Sequence, residues 1–168
     1  QESEFALVER EFRNRGARCD EMLEVMRLLM TGEVVEFHGR YYDFPKLQMA
    51  PGTHEQVPFW IGGYSDAALR RAARHEGWVG AMHDIAGLKE IMHKLKRERE
   101  AIGRGMDDFN VILAIHDKGR TADLHRAAED LGVNHVYKPA WLDDKGRAST
   151  LTLDQKLAEM DRFAERFL

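Results

Sequence analysis

Apolar and polar positions change rhythm near Pro58. Before it, residues 1–33 mix charged and apolar side chains at helical spacing, with Leu23, Met26 and Met30 on one stripe behind Asp20, the expected N-cap. Thr31-Gly32 is the expected stop, because glycine accepts the left-handed conformation that often ends a helix. From Val34 to Phe44, aromatic and β-branched residues flank Gly39, which predicts a β-hairpin. Pro45, Pro51 and Gly52 then predict an irregular stretch from Lys46 to Val57.

Beyond Pro58, over residues 58–168, short apolar runs alternate with longer stretches of helical period, the sequence form of βαβ units. Strands are expected at Phe59–Ile61, Trp78–Ala81, Phe109–Ile115 and Val133–Tyr137. The near-continuous apolar run at Phe109–Ile115 suits a parallel strand covered on both faces. The helices between them carry buried stripes at Leu69, Ala72 and Ala73, at Leu88, Ile91, Met92 and Leu95, and at Leu124, Ala127, Ala128 and Leu131. A last helix opens with the capping-box pattern Thr152-x-x-Gln155 ahead of Leu157, Met160, Ala164 and Phe167. Lys94 to Glu100 reads as a mixed-charge run on an exposed helix face.

Four strands and four helices therefore follow an N-terminal helix and a hairpin, an α/β chain. A closed (β/α)8 barrel needs eight strands and about 250 residues, so 168 residues hold units for half of one. The alternative is an open four-stranded sheet. No linker divides the chain, and one domain is expected, with edge strands that must be covered or find a partner.

Composition narrows the partners. Lysine and arginine number 25 against 29 acids, a formal charge of −4, which lacks the basic excess that phosphate-backbone binding requires. No nucleic-acid partner is expected. Apolar runs such as Val111–Ile115 fall far short of the roughly 20 residues that cross a bilayer, and no leader pattern opens the chain. The single cysteine, Cys19, forms no intrachain disulfide and suits a reducing, cytoplasmic setting. Gln1 in place of methionine fits a processed or truncated product.

The most informative stretch runs from Phe59 to Arg74, where a strand ends in Gly62-Gly63 and Ser65 stands ready to cap a helix. Two readings remain open. Either the glycines serve a tight turn, or they let backbone amides and the helix N-terminus hold an anion such as phosphate without a lysine. Other patterns carry less. His75, His83 and His93 lack the i, i+4 pairing of a helical zinc site, so no metal is expected. Gly103-Arg104-Gly105 follows a helix and lacks a third glycine, unlike a dinucleotide fingerprint. Asp123, His125 and Ser149 lack a nucleophile elbow.

At these residues the chain resembles the luciferase-like flavin and deazaflavin oxidoreductases. The resemblance is carried by Phe12–Arg18, Asp20–Arg27, Thr31–Glu33, Phe37–Phe44, Pro58–Gly63, Ala67–Arg74 and Gly77-Trp78, in that order and spacing. It implies a (β/α)8 TIM barrel of which the four strands are the fifth to eighth. It also implies that Gly62, Gly63, Tyr64 and Ser65 contact the phosphate of a flavin mononucleotide (FMN) or the side chain of a deazaflavin coenzyme (F420 type), with Gly80 and Ala81 close by. Side chains at the C-terminal ends of barrel strands face the active site, which selects His83, His116 and Lys138 as catalytic candidates. The expected activity is that of an oxidoreductase or monooxygenase on a small organic substrate. The competing expectation is a non-catalytic half barrel that pairs its edges as a homodimer or with a separate N-terminal half.

Overall fold

A computed structural model describes residues 2–82, 84–115, 122–137 and 150–167. The chain forms two compact units, Gln1–Pro58 and Phe59–Leu168. His83, His116, Lys138 and Ser149 lie outside the described residues.

The first unit contains α1 (Glu2–Leu7), α2 (Arg15–Met30), β1 (Val34–His38) and β2 (Asp43–Gln48). The N-terminal segment is thus two helices rather than one. Phe5 and Phe12 meet edge to face at 5.3 Å around the break, and the Arg15 guanidinium sits 3.8 Å above Phe12. Asp20 is not the cap. Asn14 holds the N-cap position without a side-chain bond to the helix amides, its Nδ2 donating to Glu11 instead, and α2 starts upstream of Asp20 because Arg15, Ala17 and Arg18 are good helix formers. Thr31 and Gly32 end α2 as expected, with Gly32 at φ 75°.

The hairpin is present but longer than expected, since Lys46–Gln48 continues β2 rather than turning irregular. Phe37 pairs with Phe44 and Val35 with Leu47, so Pro45 and Lys46 oppose Glu36 alone. This bulge takes the proline, which has no amide to donate, out of the ladder. The turn is fastened by Glu21 of α2, whose carboxylate accepts from the amides of Tyr41 at 2.7 Å, Tyr42 at 2.8 Å and Arg40 at 3.2 Å. Gly39 leaves room for it, because a Cβ there would lie 2.1 Å from Glu21 Oε1.

Desolvation pushes the Glu21 pKa up, but the Tyr41, Tyr42 and Arg40 amides and the Arg18 charge outweigh it and hold the carboxyl below its usual range. A lowered pKa means that stability is present above the unfolded value of about 4.3 and is lost as pH falls through the folded value. The protection of the Tyr41 and Tyr42 amides, their exchange rate measured against that of an open peptide at the same pH, should therefore fall between pH 5 and pH 3 (roughly the carboxylate range). In Glu21→Gln the two amides should exchange faster already at neutral pH, with that acid step missing.

The second unit contains β3 (Trp60–Gly62), α3 (Asp66–Ala73), β4 (Gly77–Met82), α4 (Ile85–Glu100), β5 (Asn110–Ile115), α5 (Ala122–Asp130), β6 (His135–Tyr137) and α6 (Leu153–Phe167). Its four strands are parallel and neighbour one another in chain order. Leu69 and Ala72 of α3, Leu88 and Leu95 of α4 and Ala128 of α5 form one core with Trp78, Val111 and Leu113 of the sheet. These three helices therefore cover the same face. Strands in sequence order with all crossovers on one side are wound singly, without the reversal of a doubly wound sheet.

Along β4 and β5 side chains alternate between the two faces, and the other face is less protected. Trp60 is 46% and Tyr137 58% exposed. At the start of the strands the Trp60 ring lies over Gly77 and reaches His135, with centroids 5.8 Å apart, while His135 bonds Asn110 at 3.1 Å. The capping box of α6 forms as expected: Thr152 N–H donates to Gln155 Oε1 at 2.9 Å and Gln155 N–H to Thr152 Oγ1 at 3.4 Å. Leu153, Leu157 and Met160 of that helix remain exposed.

The expected solvated run Lys94–Glu100 is corrected at both ends. Arg99 continues the stripe of Leu88, Ile91, Met92 and Leu95 and is 1% exposed. Its guanidinium donates to the carbonyls of Ala73, His75 and Gly105, pairs with Asp108 and stacks 4.5 Å from Phe109. Burial lowers its pKa and Asp108 opposes that shift. A charge is tolerated inside because the planar fork satisfies several acceptors at once.

Candidate functional site

The diglycine corner stands where β3 hands over to α3. Ser65 caps α3 as expected, its hydroxyl accepting the Ala68 amide at 3.3 Å. Gly63 has φ +115°, and a Cβ there would lie 2.8 Å from the Ala68 methyl. The position thus requires glycine twice over, by backbone angle and by space. Gly62, Tyr64 and Ser65 are exposed and Gly63 half-buried, so the corner is open.

Trp78 holds this corner from beneath. Its indole is fully buried, and Nε1 donates to the Gly63 carbonyl at 2.8 Å. Carbonyl and amide of one trans peptide point in opposite directions, so the Tyr64 N–H is turned away from the indole. The amides of Asp66 and Ala67, first in α3, have no acceptor within the helix. Such an array at the positive end of a helix favours an anion.

The Tyr64 side chain ties the corner to the neighbouring strand. Its hydroxyl donates to the Ala81 carbonyl and accepts the Ala81 amide, bridging to β4 beyond the last residue of β3. Its ring meets Trp78 edge-on at 5.8 Å. Ala81 thereby has both backbone groups engaged. Gly80 makes room for the indole, since a Cβ there would lie 2.1 Å from Trp78 Cη2. The structure therefore brings Gly62, Gly63, Tyr64, Ser65, Gly80 and Ala81 together, with the last two serving the corner through Trp78 and Tyr64.

Asp66 places a carboxylate in the first turn of α3, where it would oppose an anion. Lys94 of α4 answers it at 3.3 Å and also pairs with Glu90 at 3.3 Å. The Asp66 bond, followed by the Glu90 bond, raises the Lys94 pKa. Lys94 is therefore a tie between α4 and the start of α3 and not a freely solvated charge. Sequence reasoning missed it and Trp78. The glycine two residues after Trp78, on the same strand face, was the available signal for a large ring lying flat on the sheet.

Among the described residues no group of three or more histidines, cysteines or acids could hold a metal ion. No described helix is long and apolar enough to cross a membrane.

The second unit is thus a singly wound parallel α/β sheet with an open glycine corner ahead of a capped helix. The family model described as luciferase-like monooxygenase matches residues 1–117, and the chain belongs to that family. An uncharacterized protein of Mycobacterium tuberculosis is 37% identical over 94% of this chain and 54% of its own length. An F420-dependent glucose-6-phosphate dehydrogenase of Gordonia bronchialis is 32% identical over 76% of this chain and 47% of its own. The monooxygenase RslO1 of Streptomyces bottropensis is similar in structure, with a TM-score of 0.68 at 17% identity, covering 97% of this chain and 64% of that one. The chain spans about half the length of the curated relatives it matches.

Replacing Trp78 with phenylalanine removes the indole donor while keeping an aromatic ring in the core. Trp78→Phe should lose about 1–3 kcal/mol, the cost of a buried acceptor left unmet, in a denaturant melt. Exchange of the Ala81 amide, which the Tyr64 hydroxyl accepts, should rise more than that of Leu113, which lies in β5. Equal exchange at Ala81 in both proteins would show that the indole does not set the corner.

Proposed function

We propose that this chain carries the phosphate-holding part of a flavin- or deazaflavin-dependent oxidoreductase of the luciferase-like monooxygenase type. The coenzyme is FMN or an F420-type deazaflavin, the substrate a small organic molecule and the setting cytoplasmic. One observation carries the reading: the Gly63 carbonyl is held on the covered side by Trp78, which turns the Tyr64 amide outward beside the first amides of α3. Family membership and the F420-dependent relative support it.

The corner fits a phosphate by its own chemistry. Gly62 and Gly63 present no side chain, so an anionic tail reaches the backbone, and Lys94, shared with Glu90, partly offsets the Asp66 carboxylate. When bound, the coenzyme ring would supply the redox chemistry. Gly62, Gly63, Tyr64 and Ser65 would bind the tail, while Trp78, Gly80 and Ala81 keep those four in place. His83, His116 and Lys138 are proposed for proton transfer, which suits groups at strand C-terminal ends.

Titration of the purified chain with FMN, F420 and riboflavin, followed by fluorescence, tests this. FMN or F420 should bind, riboflavin, which lacks the phosphate, should bind at least tenfold more weakly (a loss of about 1.4 kcal/mol), and Gly63→Val should abolish the difference. A folded sample that binds neither coenzyme overturns the proposal.

A second reading is favoured by the less protected sheet face. Trp60, Val79 and Tyr137 are exposed there, and β3 and β6 are edge strands of three residues each. Such edges call for cover. Here the chain is a half barrel that pairs with a second copy or a separate N-terminal half, with or without a coenzyme. Light scattering at micromolar concentration should then give a mass of at least a dimer, and a stable monomer removes the self-assembly.

A further inference from the structure

The second unit has a second concavity, away from the diglycine corner. It lies on the N-terminal side of β5 and β6, between α4 and the loops that lead into those strands, and encloses about 310 Å³. Its interior is apolar: Met92 and Phe109 are buried at its base, with Met106 and Leu131 half-buried beside them.

The rim is basic. Lys89, His93 and Lys96 follow one another at i, i+4 and i+7 along α4, a spacing that sets them on one side of the helix. No carboxylate among the described residues lines the cleft. Among the described residues Lys89 and His93 make no ion pair, and Lys96 only grazes Glu100 at 4.0 Å. One wall is held rigid by Asn134, which accepts the Val111 amide at 2.8 Å and donates to the Phe109 carbonyl at 3.3 Å. Gly132, at φ +95°, passes the mouth without a side chain to close it.

From this arrangement we infer that the cleft is a binding site for a small amphipathic carboxylate, an aryl or medium-chain alkyl acid. The hydrocarbon lies on Met92, Met106, Phe109 and Leu131, and the carboxylate meets Lys89 and Lys96. The volume admits a body of roughly 10–15 heavy atoms, at the low end of small-molecule sites. A preformed apolar floor with a few convergent polar groups is the ordinary anatomy of such a site. Charge complementarity selects an acid over a neutral or cationic molecule of the same shape.

Calorimetric titration of the full chain with decanoate and, separately, with decanol tests the inference. Decanoate should bind one to one, weaken as salt is raised, and bind at least tenfold tighter than decanol. Lys89→Glu combined with Lys96→Glu, both exposed and thus compatible with folding, should weaken decanoate at least tenfold and leave FMN or F420 affinity unchanged. Absence of saturable decanoate binding, equal affinity for decanol, or an unaltered double variant would overturn it.

Discussion

The bond from the Trp78 indole to the Gly63 carbonyl is the constraint on which the corner depends. It joins two adjacent parallel strands beyond their ladder, through a side chain that is itself sealed in the core. Three glycines become intelligible through it. Gly80 admits the ring, Gly63 adopts the left-handed turn that presents its carbonyl to the indole, and Gly62 ends β3 without a side chain over the corner. A buried donor in a low-dielectric setting is costly to leave unmet, so the core itself enforces the peptide orientation that exposes the Tyr64 amide.

Around that bond the polar groups fall into two sets. Ala81 has both backbone groups on the Tyr64 hydroxyl, and the Ala68 amide is taken by Ser65. The Tyr64, Asp66 and Ala67 amides have no acceptor among the described residues. A corner in which some amides are committed and others are not is preorganised: it can receive an anion without rearranging, which is where affinity is otherwise lost. Lys94 and Arg99, both on α4, brace the two ends of α3, one at its first-turn carboxylate and the other at the carbonyls of its last residue, Ala73, and of His75 just beyond.

Much of the second unit was legible in the sequence. All four strands fall where apolar periodicity placed them, and α3, α4 and α5 bury their stripes against one face of the sheet, whereas Leu157 and Met160 of α6 stay exposed. The Ser65 cap and the Thr152–Gln155 box were legible for a local reason, since both are closed within four residues of chain. Less legible were features decided at a distance. Asp20 looked like a cap, yet helix propensity upstream carried α2 to Arg15. Pro45 looked like the end of a strand, yet a bulge let β2 pass it. Arg99 looked solvated by type, although its spacing from Leu95 already put it on the buried stripe.

The amino-acid sequence by itself determined the order of elements, the parallel winding and the presence of a glycine corner before a capped helix, because these rest on periodicity and on short-range hydrogen bonds. Only the tertiary structure decided which way the corner's peptide faces, that the Tyr64 hydroxyl bridges to Ala81, and that Glu21 fastens a hairpin turn about twenty residues away. Those outcomes depend on which groups meet across strands and between helix and turn. No spacing rule along the chain encodes such meetings, since they are set by packing and by the need to satisfy each buried polar atom.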